Sequence, residues 1–263
     1  MNAPVLTTII AGVAQITLNR PEKRNALDQA TIAALSRELQ RCAEDPAVRV
    51  VQISGAGTVF CAGADLAEMQ AQAHASEAEN LANAEQLAKL LTALDSLPKP
   101  TLARVNGDGY GGALGLLGAC DIVIAVADAK FAFTEVRLGI IPAVISPFVL
   151  GKIGESAARR YFLTAETLTA ATLKDLGLIH EVVPAELLDT TCVHITEALL
   201  KGAPRALAEA KALIRDMAQV TARNRSAASL EAASRLARLR VQAEAQEGFG
   251  AFFAKRKAGW RQD

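Results

Sequence analysis

No stretch of this 263-residue chain approaches twenty uncharged apolar residues, which excludes a membrane-spanning helix. Net charge is missing too. Twenty-eight basic residues balance 28 acidic ones with no basic stripe, so a nucleic-acid backbone is not an expected partner. The four cysteines, Cys42, Cys61, Cys120 and Cys192, are scattered without a C-x-x-C spacing. That excludes a disulfide framework and leaves small, reduced core residues. There are three histidines, His74, His180 and His194, and no motif gathers them into a ligand set, so no metal is expected. No basic region leads into an apolar stretch with a small-residue cleavage site, so a cytoplasmic protein is the expectation. Internal repeats and low-complexity tracts are lacking, apart from an enrichment in alanine.

What is present is an apolar chain long enough for one large α/β domain, or for a main domain with a smaller appendage. The β-rich runs 5–10 and 13–18 meet at Gly12 and predict a hairpin. Asn19 to Leu27 is polar, contains Pro21 and reads as a loop. Asp28 is placed to cap a helix carrying Ile32, Leu35, Leu39 and Cys42 at helical spacing. Mostly apolar runs at 48–53, 101–105 and 122–126 predict strands, the first and last of them buried on both faces. Between them, 76–97 reads as a helix with Leu81, Leu87, Leu90, Leu91 and Leu94 on one side, ended by Pro98, and 114–119 as a short helix. Beyond Val144 the character turns helical, with segments near 157–163, 170–176, 184–200, 204–218 and 227–245, and one β run at 179–183. His180 falls in that run and reads as structural.

Two glycine-rich turns each follow an apolar run. The first is Gly55-Ala56-Gly57-Thr58-Val59-Phe60-Cys61-Ala62-Gly63-Ala64-Asp65, and the second is Asn106-Gly107-Asp108-Gly109-Tyr110-Gly111-Gly112-Ala113. Glycine lets backbone N–H groups approach a ligand unobstructed, so two such turns suit a single oxyanion held by one N–H from each. Gly107-x-Gly109-x-x-Gly112, with Asp128 about twenty residues on, also fits a dinucleotide fingerprint. Only Ala113 to Cys120 remains for the crossover helix, however, which is too short for that unit.

Four segments in register carry a resemblance over nearly the whole chain. They are Leu18-Asn19-Arg20-Pro21-Glu22-Lys23-Arg24-Asn25-Ala26-Leu27, the two glycine turns, and Thr134-Glu135-Val136-Arg137-Leu138-Gly139-Ile140-Ile141-Pro142. Together they resemble the enoyl-CoA hydratase/isomerase (crotonase) superfamily. The resemblance implies an α/β fold with a crotonase-like ββα spiral core at 1–200, bearing the acyl-CoA site, and a C-terminal helical trimerisation region at 201–263. It implies a homotrimer, or a hexamer as a dimer of trimers. It also implies an acyl-CoA thioester partner without a permanently bound cofactor. The backbone N–H groups of Ala64 and Gly112 take the oxyanion-hole positions, and Glu135 that of the catalytic glutamate. Lys23, Arg24, Ala26, Ala62, Asp65 and Leu66 fall at coenzyme A contact positions, as do Phe252 and Lys255 toward a neighbouring subunit. Lys and Arg suit a ligand bearing phosphates.

The residues themselves leave plainer readings open. Glu135 sits between the apolar segments 131–133 and 138–141, where burial raises a carboxyl pKa toward acid/base use; a solvated glutamate or a partner for Arg137 is the alternative. Asp65 is equally placed to cap the helix after its turn.

One departure stands out. Well-known hydratases of the superfamily use two glutamates, and the first aligns with Gly115 here. A double-bond shift needs only one shuttling base, which favours an isomerase. The stretches Phe133 to Pro147 and Ala158 to Thr164 instead resemble bacterial hydratases of methylglutaconyl-CoA and its isoprenoid-extended analogues, a branch that tends to carry glycine there and that serves leucine or terpene catabolism. The expectation is therefore a hydro-lyase adding water reversibly and syn to a branched, glutaconyl-type enoyl-CoA. An enoyl-CoA isomerase is the alternative, and a non-catalytic acyl-CoA-binding protein the third reading.

Overall fold

The computed structural model describes residues 3–261, so residues 1 and 2 of the expected core region and 262 and 263 of the expected C-terminal region lie outside the description. Strands β1 (Val5–Ile10) and β2 (Val13–Leu18) form the expected hairpin. Both turn residues, Ala11 at φ 47° and Gly12 at φ 81°, are left-handed, as the twist of a two-residue hairpin requires. From β2 the sheet extends in parallel through β3 (Val50–Gly55), β4 (Thr101–Val105), β6 (Ile122–Val126) and β9 (Glu181–Val183). In the order β1-β2-β3-β4-β6-β9 the interior strands β3, β4 and β6 are covered on both faces, which is why most of their residues are apolar and buried. A second, smaller sheet joins β5 (Gly109–Tyr110), β7 (Lys130–Ala132) and β8 (Leu168–Thr169). Strands this short carry no alternation pattern, and the sequence reading did not contain them.

Helix α1 (Gln29–Glu44) starts where expected, with the Asp28 side chain accepting from Thr31 N–H at 2.7 Å. It buries Ile32, Leu35, Leu39 and Cys42 against the core. The turn after β3 leads into α2 (Leu66–Gln72), capped by Asp65, whose carboxylate accepts from Ala67 N–H at 2.9 Å. Helix α3 (Glu77–Ser96) has a full capping box at Ser76 and Glu79. Its apolar side departs from the expected one: Leu90, Leu91 and Leu94 are buried, but Leu81 is 60% exposed because only the C-terminal half of the helix lies over the core. Helix α4 (Gly112–Ala119) begins on the second glycine turn, and all of it after Gly112 is buried.

The C-terminal half is helical, with boundaries that differ from the expected ones. Helix α5 (Ser146–Thr164) is two helical stretches meeting at a kink, where Gly154 takes the non-helical φ 74°, ψ 164°; the second stretch covers the expected segment near 157–163. Helix α6 (Ala170–Asp175) follows β8, and α7 (Leu188–Leu200) follows a 3-10 turn over Ala185–Leu187. His180 is structural: its Nδ1 accepts from Val123 N–H at 3.1 Å and stitches β6 to the segment entering β9. Three helices close the chain: α8 (Pro204–Ala218), α9 (Arg225–Arg240) and α10 (Ala243–Phe253). The expected single segment 227–245 is thus two helices, broken where Gln242 takes an extended conformation to cap α10.

Candidate active site

The polar loop before α1 is the foundation of the site. Arg24 and Asn25 are both left-handed, at φ 52° and 55°, which turns the buried Asn25 amide under the first glycine turn. Its Nδ2 donates to Ala56 O at 2.8 Å and to Val59 O at 2.7 Å. Arg20 adds a second strut, paired with Asp28 at 3.0 Å and with Asp65 at 2.9 Å. A buried polar network of this kind holds its shape because each member is satisfied.

The two glycine turns lie against each other. Asn106 Oδ1 accepts from Gly55 N–H at 3.1 Å, and its Nδ2 donates to Gly57 O at 2.8 Å. At Gly107 a Cβ would lie 2.0 Å from Thr58 O, and at Gly63 (φ 84°) it would lie 2.6 Å from Tyr110 O, so neither position admits a side chain. This contact sets Ala64 and Gly112 on one cavity of about 230 Å³. Leu27 N–H donates to Gly63 O at 2.7 Å, and Asp65 N–H donates to Leu27 O at 3.2 Å, which pins Ala64 without using its own N–H. Gly112 is the first residue of α4, so its N–H has no intrahelical acceptor. Neither N–H has an acceptor among the described residues, and at Gly112 the positive end of the α4 dipole adds to the donor.

Glu135 lines the same cavity, at the start of a 3-10 turn over Glu135–Leu138. One carboxylate oxygen lies beside Gly111, where a Cβ would come within 3.3 Å of Oε1. Oε2 is buried with no hydrogen-bond partner. Burial raises its pKa above the ordinary carboxyl value, partly offset by a hydrogen bond from its own backbone N–H. Arg137 is exposed and makes no ion pair with it. The site thus pairs two free N–H donors with one carboxyl group primed for proton transfer, which suits enolate chemistry beside a thioester.

The remaining expected residues divide by position. Lys23 and Arg24 are exposed beside the first turn, Arg24 lying 3.7 Å from Asp108 and over the Tyr110 ring. Ala26 is buried, and Ala62 N–H donates to Arg24 O at 2.9 Å. The Asp65 carboxylate is buried and occupied by Arg20 and the α2 cap, whereas Leu66 is 81% exposed. Phe252 and Lys255 lie exposed at the end of α10, and neither lines the cavity.

Several residues on the cavity carried no expectation from the sequence, among them Gln29, Glu68, Gln72 and Asn83, and Ile145 was expected only as part of a resemblance and not as a lining residue. The signal available for Glu68 was its place three residues after the Asp65 cap, which keeps it beside the turn bearing Ala64. Ile145 bears on the missing glutamate. A Cβ on Gly115 would lie 2.5 Å from Ile145 Cγ2 and 3.0 Å from Leu91 Cδ1, so the space a first glutamate would need is filled. Among the described residues no group of three or more His, Cys, Asp or Glu is placed to hold a metal ion.

Comparison with known proteins matches the chain to a family. An enoyl-CoA hydratase from Shewanella pealeana is 40% identical, with a TM-score of 0.93 and coverage of 98% of this chain and 96% of that one. A 2,3-dehydroadipyl-CoA hydratase of Escherichia coli is 32% identical over 92% of each chain. A mevalonyl-coenzyme A hydratase of Aspergillus fumigatus is 35% identical over 94% of this chain and 90% of its own. The family profile described as enoyl-CoA hydratase/isomerase matches residues 8–263, and the chain belongs to that family of enzymes.

Proposed function

We propose that this protein is a hydro-lyase that adds water reversibly, in the syn sense, to the double bond of an α,β-unsaturated acyl-CoA thioester. The observation that carries the reading is the unpartnered, buried Oε2 of Glu135 on the same cavity as the free N–H groups of Ala64 and Gly112. The two N–H groups hold the thioester oxygen as enolate charge develops, and Glu135 exchanges its proton with C2. Lys23 and Arg24, with the backbone around Ala26, Ala62, Asp65 and Leu66, provide the coenzyme A path beside the first turn. Phe252 and Lys255 serve the ligand of a neighbouring subunit.

The acyl group is proposed to be branched and glutaconyl-type. No basic side chain lines the cavity among the described residues, so a second substrate carboxylate would meet the carboxamides of Gln72 and Asn83. The cytosol is the proposed compartment. The region from residue 201 is proposed to join subunits into a trimer or a dimer of trimers. In its support, Ile214, Leu230, Leu236, Val241, Phe252 and Phe253 are each more than half exposed in the single chain.

The test is turnover of crotonyl-CoA and 3-methylglutaconyl-CoA in ¹⁸O-labelled water. Label in the 3-hydroxyacyl product is expected, with the glutaconyl substrate preferred. The filled space beside Gly115 favours the isomerase as the second reading, and a migrated double bond without label would establish that instead. Tight binding of both esters without turnover would mark a binding protein.

A further inference from the structure

Hydration asks for two proton-handling groups, one for the water and one for C2, and the position beside Gly115 supplies none. A second carboxylate nevertheless lines the cavity from another element. Glu68 projects from the first turn of α2, just after the turn bearing Ala64. Its Oε1 accepts from the Gln29 backbone N–H at 2.9 Å, which fixes the carboxylate on the wall between α1 and α2. Its other oxygen is in no hydrogen bond among the described residues. Beside it the Gln29 side-chain Oε1 is buried and has no partner, although Gln29 also lines the cavity. A buried acceptor left unpaired costs stability unless something donates to it. Water is the one reactant of the proposed reaction that offers two donors. One proton can satisfy Gln29 Oε1 and the other Glu68, which leaves a lone pair for the substrate.

We propose that Glu68 and Gln29 hold the nucleophilic water, and that Glu68 takes its proton in place of the carboxylate missing at Gly115. As the water oxygen bonds to C3, its proton passes to Glu68. The C2–C3 π electrons move into the thioester as an enolate held by the Ala64 and Gly112 N–H groups. Glu135 then delivers its proton to C2, and proton exchange with solvent returns Glu68 to the ionised and Glu135 to the protonated form. The assignment rests on the hydratase reading and explains how a chain without the first glutamate would perform it.

Glu68→Gln tests this cleanly, because the amide oxygen still accepts the Gln29 N–H while the proton acceptor is lost. Two reactions are followed: hydration of crotonyl-CoA, and exchange of the C2 protons of butyryl-CoA in deuterated water, which needs only Glu135 and the oxyanion donors. Hydration is expected to fall by about 10²-fold or more while exchange stays within about threefold. Gln29→Leu is expected to lower hydration about tenfold with exchange again retained, the size of one lost hydrogen bond. Hydration surviving Glu68→Gln within about threefold, or a parallel loss of exchange, overturns the assignment. Wild-type protein that exchanges C2 protons but takes no ¹⁸O from water overturns the hydratase reading itself, a result distinct from either.

Discussion

Glu135 bears opposite consequences for activity and stability. Its raised pKa comes chiefly from desolvation, so the folded state holds the proton more tightly than the unfolded chain does. The favourable contribution is present below the ordinary carboxyl pKa and is lost as pH rises through the folded value, because ionisation then takes place in a buried cavity. Glu135→Gln is therefore expected to unfold at a higher temperature than wild type at pH 8, with the gap closing near pH 4. In the same variant C2 exchange and hydration fall by about 10²–10⁴-fold. Melting curves across pH, read beside turnover, check both. An equal gap at both ends of the range would show that ionisation of Glu135 is not its source. Ala64 gives the complementary residue-scale test. Its neighbours, not its own N–H, pair with Leu27, so Ala64→Pro removes the N–H proposed for the oxyanion while the Leu27 partners remain. A fall of about 10²–10³-fold in kcat is expected, with the folded state verified by its melting curve.

At the scale of elements, legibility followed from whether one residue type was demanded locally. The glycine turns stood out because Gly63 and Gly107 meet backbone oxygens of the opposite turn, a constraint that leaves its mark as glycine. The α1 start was equally plain, since Asp28 at the head of an apolar period has one obvious use. Gly154 is a further case: its φ 74°, ψ 164° lies outside the helical region and marks the kink where the two stretches of α5 meet, so the expected segment near 157–163 covers only the second stretch. The small sheet escaped because two- and three-residue strands have no period to read. Of the cavity residues, Ala64, Gly112 and Glu135 could be named from their motifs, but Gln29, Glu68 and Ile145 meet only through the packing of α1, α2 and the segment before α5. The missing glutamate shows the same divide. The sequence shows glycine at 115; only the packing shows that Ile145 closes the space. Gly115→Ala is accordingly expected to destabilise by about 1–3 kcal/mol in chemical denaturation. Adding Ile145→Ala should recover part of the steric loss while opening its own cavity, so the two changes will be non-additive. Strict additivity would place the strain elsewhere.

For the molecule as a whole, the contrast between its two halves is the strongest pointer to assembly. The sheet and its covering helices bury a continuous core, whereas α8 and α9 contain no buried residue and α10 only Ala251. Ile214, Leu230 and Val241 are each at least 70% exposed on this region, alongside Phe252 and Phe253. Patches this apolar on a single chain support the proposed assembly through this region. Sedimentation is expected to show a trimer or hexamer at micromolar concentration. Combining Ile214→Glu with Leu230→Glu, both distant in sequence from the two glycine turns, should shift the equilibrium toward monomer. If Phe252 and Lys255 serve a neighbour's coenzyme A, that monomer will bind acyl-CoA at least about tenfold more weakly, although Ala64, Gly112 and Glu135 are untouched. Two lost contacts of ordinary strength account for that factor. A monomer with undiminished affinity would leave the assembly in place but remove Phe252 and Lys255 from the ligand site, and a wild-type monomer would remove the assembly itself.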